Sequence, residues 1–286
     1  MLAGPATCAP TVAIARGRRA RHAAGAALTA VLLLAPGCAR LVRGHHAQIR
    51  GIRMYYEVRG HGPPLLMLHG GAGGGYQFDP LVPAFAKRHR LVVPDACAQG
   101  RTGDRPGPLT YHDMAEDVVA LMDHLHLKTA DVMGWSDGGD VGLDLAVHHP
   151  DRIRHLVTFG ANFTADGLEP TMAEWVRSAT AVSFGEAARA KYQLLSPRPA
   201  HFEAAMDKIL QMWRTLPQFT LADLHQIRAK ALIVAGEHDI IRREHTEQLA
   251  HSIPGAELWI VPGAGHGVML ERSDLVTPRV LEFLSH

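Results

Sequence analysis

The serine at position 136 stands among glycines, in the segment Gly134-Trp135-Ser136-Asp137-Gly138. A serine hydroxyl is a weak nucleophile until a neighbouring base removes its proton. In a sharp strand-to-helix turn, glycines two residues before and after the serine remove side chains that would strike the nearby backbone. The segment therefore predicts a nucleophile elbow with Ser136 as the attacking group. The alternative is a glycine-rich turn with an incidental serine.

The base and the acid that would activate Ser136 are expected downstream, because elbows of this kind use the chain order nucleophile, acid, histidine. Asp239 follows the apolar segment ALIVAGEH, and His266 follows AELWIVPGAG. Both positions follow the expected end of a buried strand. In open α/β sheets, ligands bind at this carboxyl edge of the strands. We therefore predict a catalytic triad of Ser136, Asp239 and His266. Glu237, two residues before Asp239, is the alternative acid.

A glycine-rich segment, LHGGAGGG at 68–75, follows another apolar run. Backbone amides of such a loop can point at the oxyanion that forms during acyl transfer. We assign the amide of Gly71, with Ala72 as the alternative, together with the amide of Asp137 directly after the nucleophile. A phosphate-binding loop is disfavoured, because the segment has neither a Gly-Lys-Ser/Thr ending nor the Gly-x-Gly-x-x-Gly spacing.

Bringing these residues together requires an α/β architecture. From Ala47 onward, short apolar runs alternate with helical segments, which predicts a mainly parallel sheet with helices on both faces. The first two strands are expected to be antiparallel. Residues 163–227 lack a convincing strand and carry Met, Phe and Trp at helix spacing, which is typical of a helical cap. We predict a hydrolytic core in two parts, 45–162 and 228–286, with the cap between them. Cap side chains expected near the pocket are Trp175, Met206, Met212, Trp213 and Phe219.

From about Ala47 to its end, the chain resembles a capped serine hydrolase of the α/β-hydrolase fold family. The resemblance rests on the HGG loop, GWSDGG at the elbow, the GEHD strand end and the GAGH loop. GWSDGG, with a strand ending in GAN at 160–162, is most similar to the biphenyl-hydrolase-like group, which includes valacyclovir hydrolase. The resemblance implies that the Asp137 carboxylate is a substrate-binding group for the ammonium of an amino-acid ester. Alternatively, Asp137 is a first-turn carboxylate favoured by the positive end of its helix.

One loop departs from the family pattern. Relatives have Asp-x-Arg-Gly-x-Gly-x-Ser after the fourth strand, whereas this chain has DACAQGRT at 95–102. Cys97 therefore stands at the position of an arginine that usually braces the loop, and Ala98 at a glycine position. We expect this loop to be less rigid or differently shaped.

Together these residues predict hydrolysis of a small-molecule carboxylic ester through an acyl-enzyme, with an amino-acid ester as one candidate. The chemistry requires no metal or organic cofactor, and the sequence has neither Cys-x-x-Cys nor His-Glu-x-x-His spacing to support a zinc site. A formal net charge of +1 gives no electrostatic reason to expect nucleic acid as a partner. A carbon–carbon bond hydrolase, an amidase or aminopeptidase, and a perhydrolase would use the same triad. A non-catalytic ligand-binding receptor is the alternative of another class.

Residues 1–38 have the pattern of an export signal. A basic cluster at 16–21 precedes the apolar run AAGAALTAVLLLA at 23–35, and Pro36-Gly37-Cys38 follows. Gly37-Cys38 also resembles a bacterial lipobox, in which the cysteine carries a lipid anchor. We predict an exported protein, periplasmic or membrane-anchored as a lipoprotein. The alternative is a cytoplasmic protein with an Ala/Arg-rich extension.

Overall fold

An eight-stranded sheet forms the centre of the protein in the computed structural model, which describes residues 44–286. The strands are β1 (His45–Ile49), β2 (Ile52–Arg59), β3 (Pro64–Leu68), β4 (Arg90–Pro94), β5 (Ala130–Trp135), β6 (Ile153–Phe159), β7 (Lys230–His238) and β8 (Glu257–Gly265). Their order across the sheet is β1-β2-β4-β3-β5-β6-β7-β8. β2 is antiparallel to both β1 and β4, and the other pairs are parallel. The predicted fold class is confirmed.

Helices cover the sheet on both faces. They are α1 (Val82–Phe85), α2 (Tyr111–His124), α3 (Asp137–His148), α4 (Pro170–Ser178), α5 (Gly185–Leu195), α6 (Phe202–Thr215), α7 (Leu221–His225), α8 (Arg243–Ser252), α9 (Val268–Glu271) and α10 (Ser273–Phe283). Neighbouring residues of one strand point to opposite faces, so Val132 and Met133 of β5 belong to two different apolar clusters. Both faces of the central strands are therefore buried, which explains their uncharged apolar sequences.

The chain between β6 and β7 is mostly helical, as the sequence predicts. It contains α4 to α7 with 3-10 turns and isolated bridges. Of the five cap side chains expected near a pocket, Met206, Met212 and Phe219 are buried in an apolar cluster. The rings of Trp175 and Trp213 are half-buried, with centroids 6.5 Å apart. The exact bounds of the core and the cap stay a prediction.

The N-terminal predictions concern residues for which the structure gives no description. The export signal at 1–38 and the candidate lipid-anchored Cys38 both lie outside residues 44–286. Within the described range, no helix has the length and apolar content needed to cross a membrane.

Candidate active site

Ser136 lies in the turn between β5 and α3 with an unusual backbone conformation, φ 53° and ψ −123°. This region is costly for a residue with a side chain and is held only when the surroundings impose it. A Cβ at Gly134 would lie 2.1 Å from the carbonyl oxygen of Gly138, and a Cβ at Gly138 would lie 1.9 Å from that of Leu68. The two glycines therefore have the steric role that the sequence predicts for an elbow.

His266 and Asp239 form a close pair next to the ends of β8 and β7. Nδ1 of His266 lies 2.7 Å from Oδ1 of Asp239, whose side chain is only 2% exposed. The carboxylate also accepts hydrogen bonds from the amides of Gly236 and Ile241, at 3.3 and 3.2 Å. Burial alone would raise the pKa of Asp239, but His266 and these amides outweigh it, and the pKa lies below its usual value. An ionised Asp239 holds the proton on Nδ1 of His266 and leaves Nε2 free to act as a base.

The elbow and the His266–Asp239 pair lie at the same end of the sheet. Trp135, directly before Ser136, donates its indole N–H to the carbonyl oxygen of His266 at 2.8 Å. The Ser136 amide donates to the carbonyl oxygen of Phe159 at 2.8 Å, and the next residue, Gly160, borders the pair. These contacts place Ser136 at the same sheet edge as the His266–Asp239 pair, and the three-residue triad stays a prediction.

The alternative acid, Glu237, has a different environment. Its side chain is 47% exposed, and its carboxylate accepts a hydrogen bond from the Gly263 amide at 2.8 Å. Among the carboxylates of residues 44–286, Asp239 is the one within hydrogen-bonding distance of His266.

Gly160 provides the space that the pair needs. Its φ is +58°, and a Cβ there would lie 2.7 Å from Nδ1 of His266 and 3.0 Å from Oδ2 of Asp239. We expect Gly160→Ala to displace His266 and to lower kcat for an ester by about 100-fold, the usual cost of a misplacement of about 1 Å. Gly255→Ala is the matched control, because Gly255 has φ +71° but open space around it. Steady-state kinetics of both variants test this, and equal kcat values would contradict it.

The carboxylate of Asp137 is buried between the elbow, α2 and the cap. Its Oδ1 accepts hydrogen bonds from Nε1 of Trp213 in α6 at 2.8 Å and from the Tyr111 hydroxyl in α2 at 3.1 Å. Its Oδ2 is buried and has no hydrogen-bond partner within the described chain. A Cβ at Gly71 would lie 2.4 Å from that oxygen. Burial raises the pKa of Asp137 to about 6, although the two hydrogen bonds oppose the increase.

A second buried carboxyl group, Asp140, lies one helical turn after Asp137. Its Oδ1 accepts a hydrogen bond from the Asn162 amide at 2.9 Å, and its Oδ2 has no partner within the described chain. Burial and the neighbouring charge of Asp137 raise the pKa of Asp140 well above its usual value. Asp140 is not among the site residues predicted from sequence, although a spacing of three residues places both carboxyl groups on one face of α3.

Free backbone amides surround the elbow. Within residues 44–286, the amides of Gly71, Ala72 and Asp137 donate no hydrogen bond to a backbone carbonyl. Asp137 is the first residue of α3, so its amide has no partner inside the helix. Such amides can stabilise an oxyanion, and both Gly71 and Ala72 remain candidates beside Asp137.

His69 holds the glycine-rich segment against the loop after β4. Its Nδ1 donates to the carbonyl oxygen of Gly70 at 2.8 Å, and its Nε2 accepts from the Ala96 amide at 2.9 Å. The ring is buried, and burial lowers its pKa. The resulting neutral imidazole matches this pair of one donated and one accepted bond.

An arginine holds the loop after β4 in place, but this arginine is Arg101 and not a residue at position 97. Cys97 is a buried free thiol. Arg101 instead places Nε 2.7 Å from Oδ2 of Asp95, and its guanidinium lies 3.8 Å from the centroid of the Tyr55 ring. Asp95 also accepts the Gly75 amide at 2.6 Å, so the brace extends to the glycine-rich segment. The substitution at position 97 therefore leaves the loop anchored.

The strand order and the serine at the elbow define the α/β-hydrolase architecture. A family model described as alpha/beta hydrolase fold matches residues 63–189. A Caulobacter sp. (strain K31) protein named RutD, to which a carbamate hydrolase activity is ascribed, is 32% identical over 259 residues, covering 81% of this chain and 96% of its own. The serine hydrolase BPHL of Mus musculus is 27% identical over an alignment that covers 82% of this chain and 84% of its own length.

A solved structure shows that the fold is shared as well. Est816, described as an N-acyl homoserine lactone degrading enzyme, superimposes with a TM-score of 0.68 at 25% identity, covering 84% of this chain and 100% of its own. The chain belongs to the α/β-hydrolase fold family. It is an α/β-hydrolase that resembles the biphenyl-hydrolase-like serine hydrolases.

Proposed function

We propose that this protein hydrolyses a small-molecule carboxylic ester through an acyl-enzyme on Ser136. The proposal rests mainly on the His266–Asp239 pair, in which Nδ1 lies 2.7 Å from Oδ1. Trp135, next to Ser136 in the strained elbow, donates a hydrogen bond to the His266 carbonyl oxygen. A weak hydroxyl nucleophile, a base and an acid that orients the base are the three groups that acyl transfer to serine requires.

The reaction has two stages. Ser136 Oγ attacks the ester carbonyl carbon while Nε2 of His266 takes the hydroxyl proton, and Asp239 stabilises the imidazolium. The amides of Asp137 and of Gly71 or Ala72 stabilise the oxyanion. His266 then gives the proton to the departing alcohol. A water molecule, activated by the same imidazole, cleaves the acyl-enzyme, releases the carboxylic acid and restores Ser136.

The direct test is to label the purified protein with a fluorophosphonate, which reacts with activated serines, and to locate the adduct by mass spectrometry. We expect a single adduct on Ser136, together with turnover of short p-nitrophenyl esters. Matched amides and carbon–carbon substrates are included, and faster cleavage of either than of the ester would overturn the ester assignment. Absence of both labelling and turnover would overturn the serine-hydrolase proposal and favour the non-catalytic alternative.

We further propose that the ester carries an ammonium group that binds Asp137. Support comes from Oδ2 of Asp137, a buried carboxylate oxygen without a partner in the described chain. Leaving such an oxygen unpaired is unfavourable, and a substrate cation would satisfy it. The alternative is that Asp137 only holds the cap through Trp213.

The ratio of kcat/KM for an amino-acid ester to that for its uncharged analogue tests this role. We expect Asp137→Asn to lower the ratio at least about tenfold at pH 7, where Asp137 is ionised and the ester ammonium is still largely protonated, because a charge-assisted hydrogen bond is lost. In the wild type the ratio should fall as the pH drops through about 6, because protonation of Asp137 removes its charge. Any effect of pH on the acyl-transfer chemistry itself is common to both esters and cancels in the ratio. An unchanged ratio in Asp137→Asn would leave Asp137 with the cap-holding role alone.

A further inference from the structure

Three side chains that can ligate a metal lie together where α2 packs against α3. They are His112 from α2 and Asp144 and His148 from α3. Their candidate ligand atoms all lie within 4.8 Å of one another. Asp144 follows Asp137 by seven residues, about two helical turns, so this cluster is separate from the proposed catalytic groups.

Two imidazole nitrogens approach one carboxylate oxygen of Asp144, and Nδ1 of His148 also lies 3.1 Å from the Asp144 backbone carbonyl oxygen. Nδ1 of His112 lies 3.0 Å from Oδ1 of Asp144, and Nδ1 of His148 lies 3.1 Å from the same oxygen. The two imidazole centroids are 4.7 Å apart. In a tetrahedral zinc site with bonds of about 2.0–2.2 Å, neighbouring ligand atoms are about 3.3–3.5 Å apart. Small side-chain movements would therefore admit an ion between the three groups.

Burial and access also favour a cation at this point. The side chain of Asp144 is only 5% exposed, and a buried carboxylate is stable only with hydrogen bonds or a positive partner. The side chains of His112 and His148 are 54% and 45% exposed, so an ion can enter and water can complete its coordination. Asp144 and His148 are four residues apart on α3, so the helix presents two ligands in a fixed arrangement.

We propose that His112, Asp144 and His148 bind a divalent transition-metal ion of the class that includes Zn²⁺, Co²⁺ and Ni²⁺. Two imidazoles and one carboxylate form a donor set that suits these ions. The ion joins α2 to α3 and stabilises the folded protein in proportion to its occupancy. It also fixes the first turn of α2, in which Tyr111 donates a hydrogen bond to Asp137.

The test uses tag-free, metal-stripped protein at pH 7.5, titrated with Zn²⁺ by calorimetry and with Co²⁺ by visible absorption. We expect one tight equivalent of Zn²⁺, a Co²⁺ absorption band that Zn²⁺ abolishes, and a thermal midpoint that rises with Zn²⁺ concentration. His112→Gln and His148→Gln keep a donor for Asp144 but lose the imidazole. Each should weaken binding by more than about tenfold, because even an outer-shell partner is commonly worth that much.

His251→Ala is the control, because His251 is an exposed histidine on α8 that lies outside the cluster. We expect this variant to bind Zn²⁺ like the wild type. The proposal is overturned if no equivalent binds, because the two histidines then serve only as hydrogen-bond donors to Asp144. It is also overturned if both glutamine variants bind as tightly as the wild type, because the ion then occupies other surface histidines.

Discussion

Ser136→Ala is expected to lower kcat/KM for a p-nitrophenyl ester by about four to six orders of magnitude, while the fold stays intact. Loss of the nucleophile removes the acyl-enzyme route, and the remaining rate reflects only binding and the oxyanion amides. Alanine keeps the Cβ that the backbone at φ 53° already accommodates, so the elbow itself is not disturbed. Steady-state kinetics and thermal unfolding of the same preparation separate loss of chemistry from loss of structure.

Ser252→Ala is the matched control. Within residues 44–286, the Ser252 hydroxyl donates only to the Gln248 carbonyl oxygen of its own helix, at 2.8 Å, so its removal should leave kcat/KM within about twofold. Fluorophosphonate labelling should disappear in Ser136→Ala and persist in Ser252→Ala. Turnover that survives in Ser136→Ala at more than about one per cent of the wild-type rate would remove Ser136 from the mechanism.

The elbow could be predicted from sequence because its constraints are local. Only residues without a Cβ fit at Gly134 and Gly138, whose hypothetical side chains would strike backbone atoms at 2.1 and 1.9 Å. The strands were also recognisable, because a sheet covered on both faces needs uncharged apolar runs. The helix spacing within 163–227 does not show where one helix ends and the next begins: α4 ends at Ser178, and a 3-10 turn capped by Thr180 begins a new element.

Other features depend on contacts that no local pattern encodes. Trp213 lies 76 residues after Asp137 and donates a hydrogen bond to it, although the sequence predicts Trp213 only as a residue near the pocket. The brace of the loop after β4 comes from Arg101, not from the family position at Cys97. His112 joins Asp144 and His148 only because α2 packs on α3, and a search for metal spacings within one segment misses it.

The choice between Glu237 and Asp239 also required the structure. The two residues lie at the end of β7, where the pairing with β8 shifts register between Gly236 and His238. One extra residue at such a shift moves the following side chains to the opposite face of the sheet. The sequence alone therefore does not show which of the two carboxylates faces His266. In the fold, Glu237 bonds the Gly263 amide at the surface and Asp239 contacts His266.

Asp239→Asn should therefore lower kcat by about 10⁴-fold with little change in KM, whereas Glu237→Gln should leave both within about twofold. An asparagine amide can face Nδ1 of His266 with its N–H, which favours the imidazole tautomer with the proton on Nε2. That nitrogen then cannot accept the serine proton, and no carboxylate remains to stabilise the imidazolium. Substrate binding does not use this contact, so the loss should be in kcat.

The two variants form a balanced comparison, because each replaces a carboxylate by its amide at the end of the same strand. The two side chains differ in burial, because that of Asp239 is 2% exposed and that of Glu237 is 47% exposed. With its N–H turned toward His266, the asparagine keeps an acceptor for the Gly236 amide but not for the Ile241 amide, so the thermal midpoint should fall by a few degrees while the protein stays folded. If Glu237→Gln instead carries the larger loss of kcat, the acid of the triad is Glu237 and the loop after β7 must rearrange during catalysis. Equal, small effects in both variants would mean that His266 needs no orienting carboxylate, against the 2.7 Å contact that places Asp239 there.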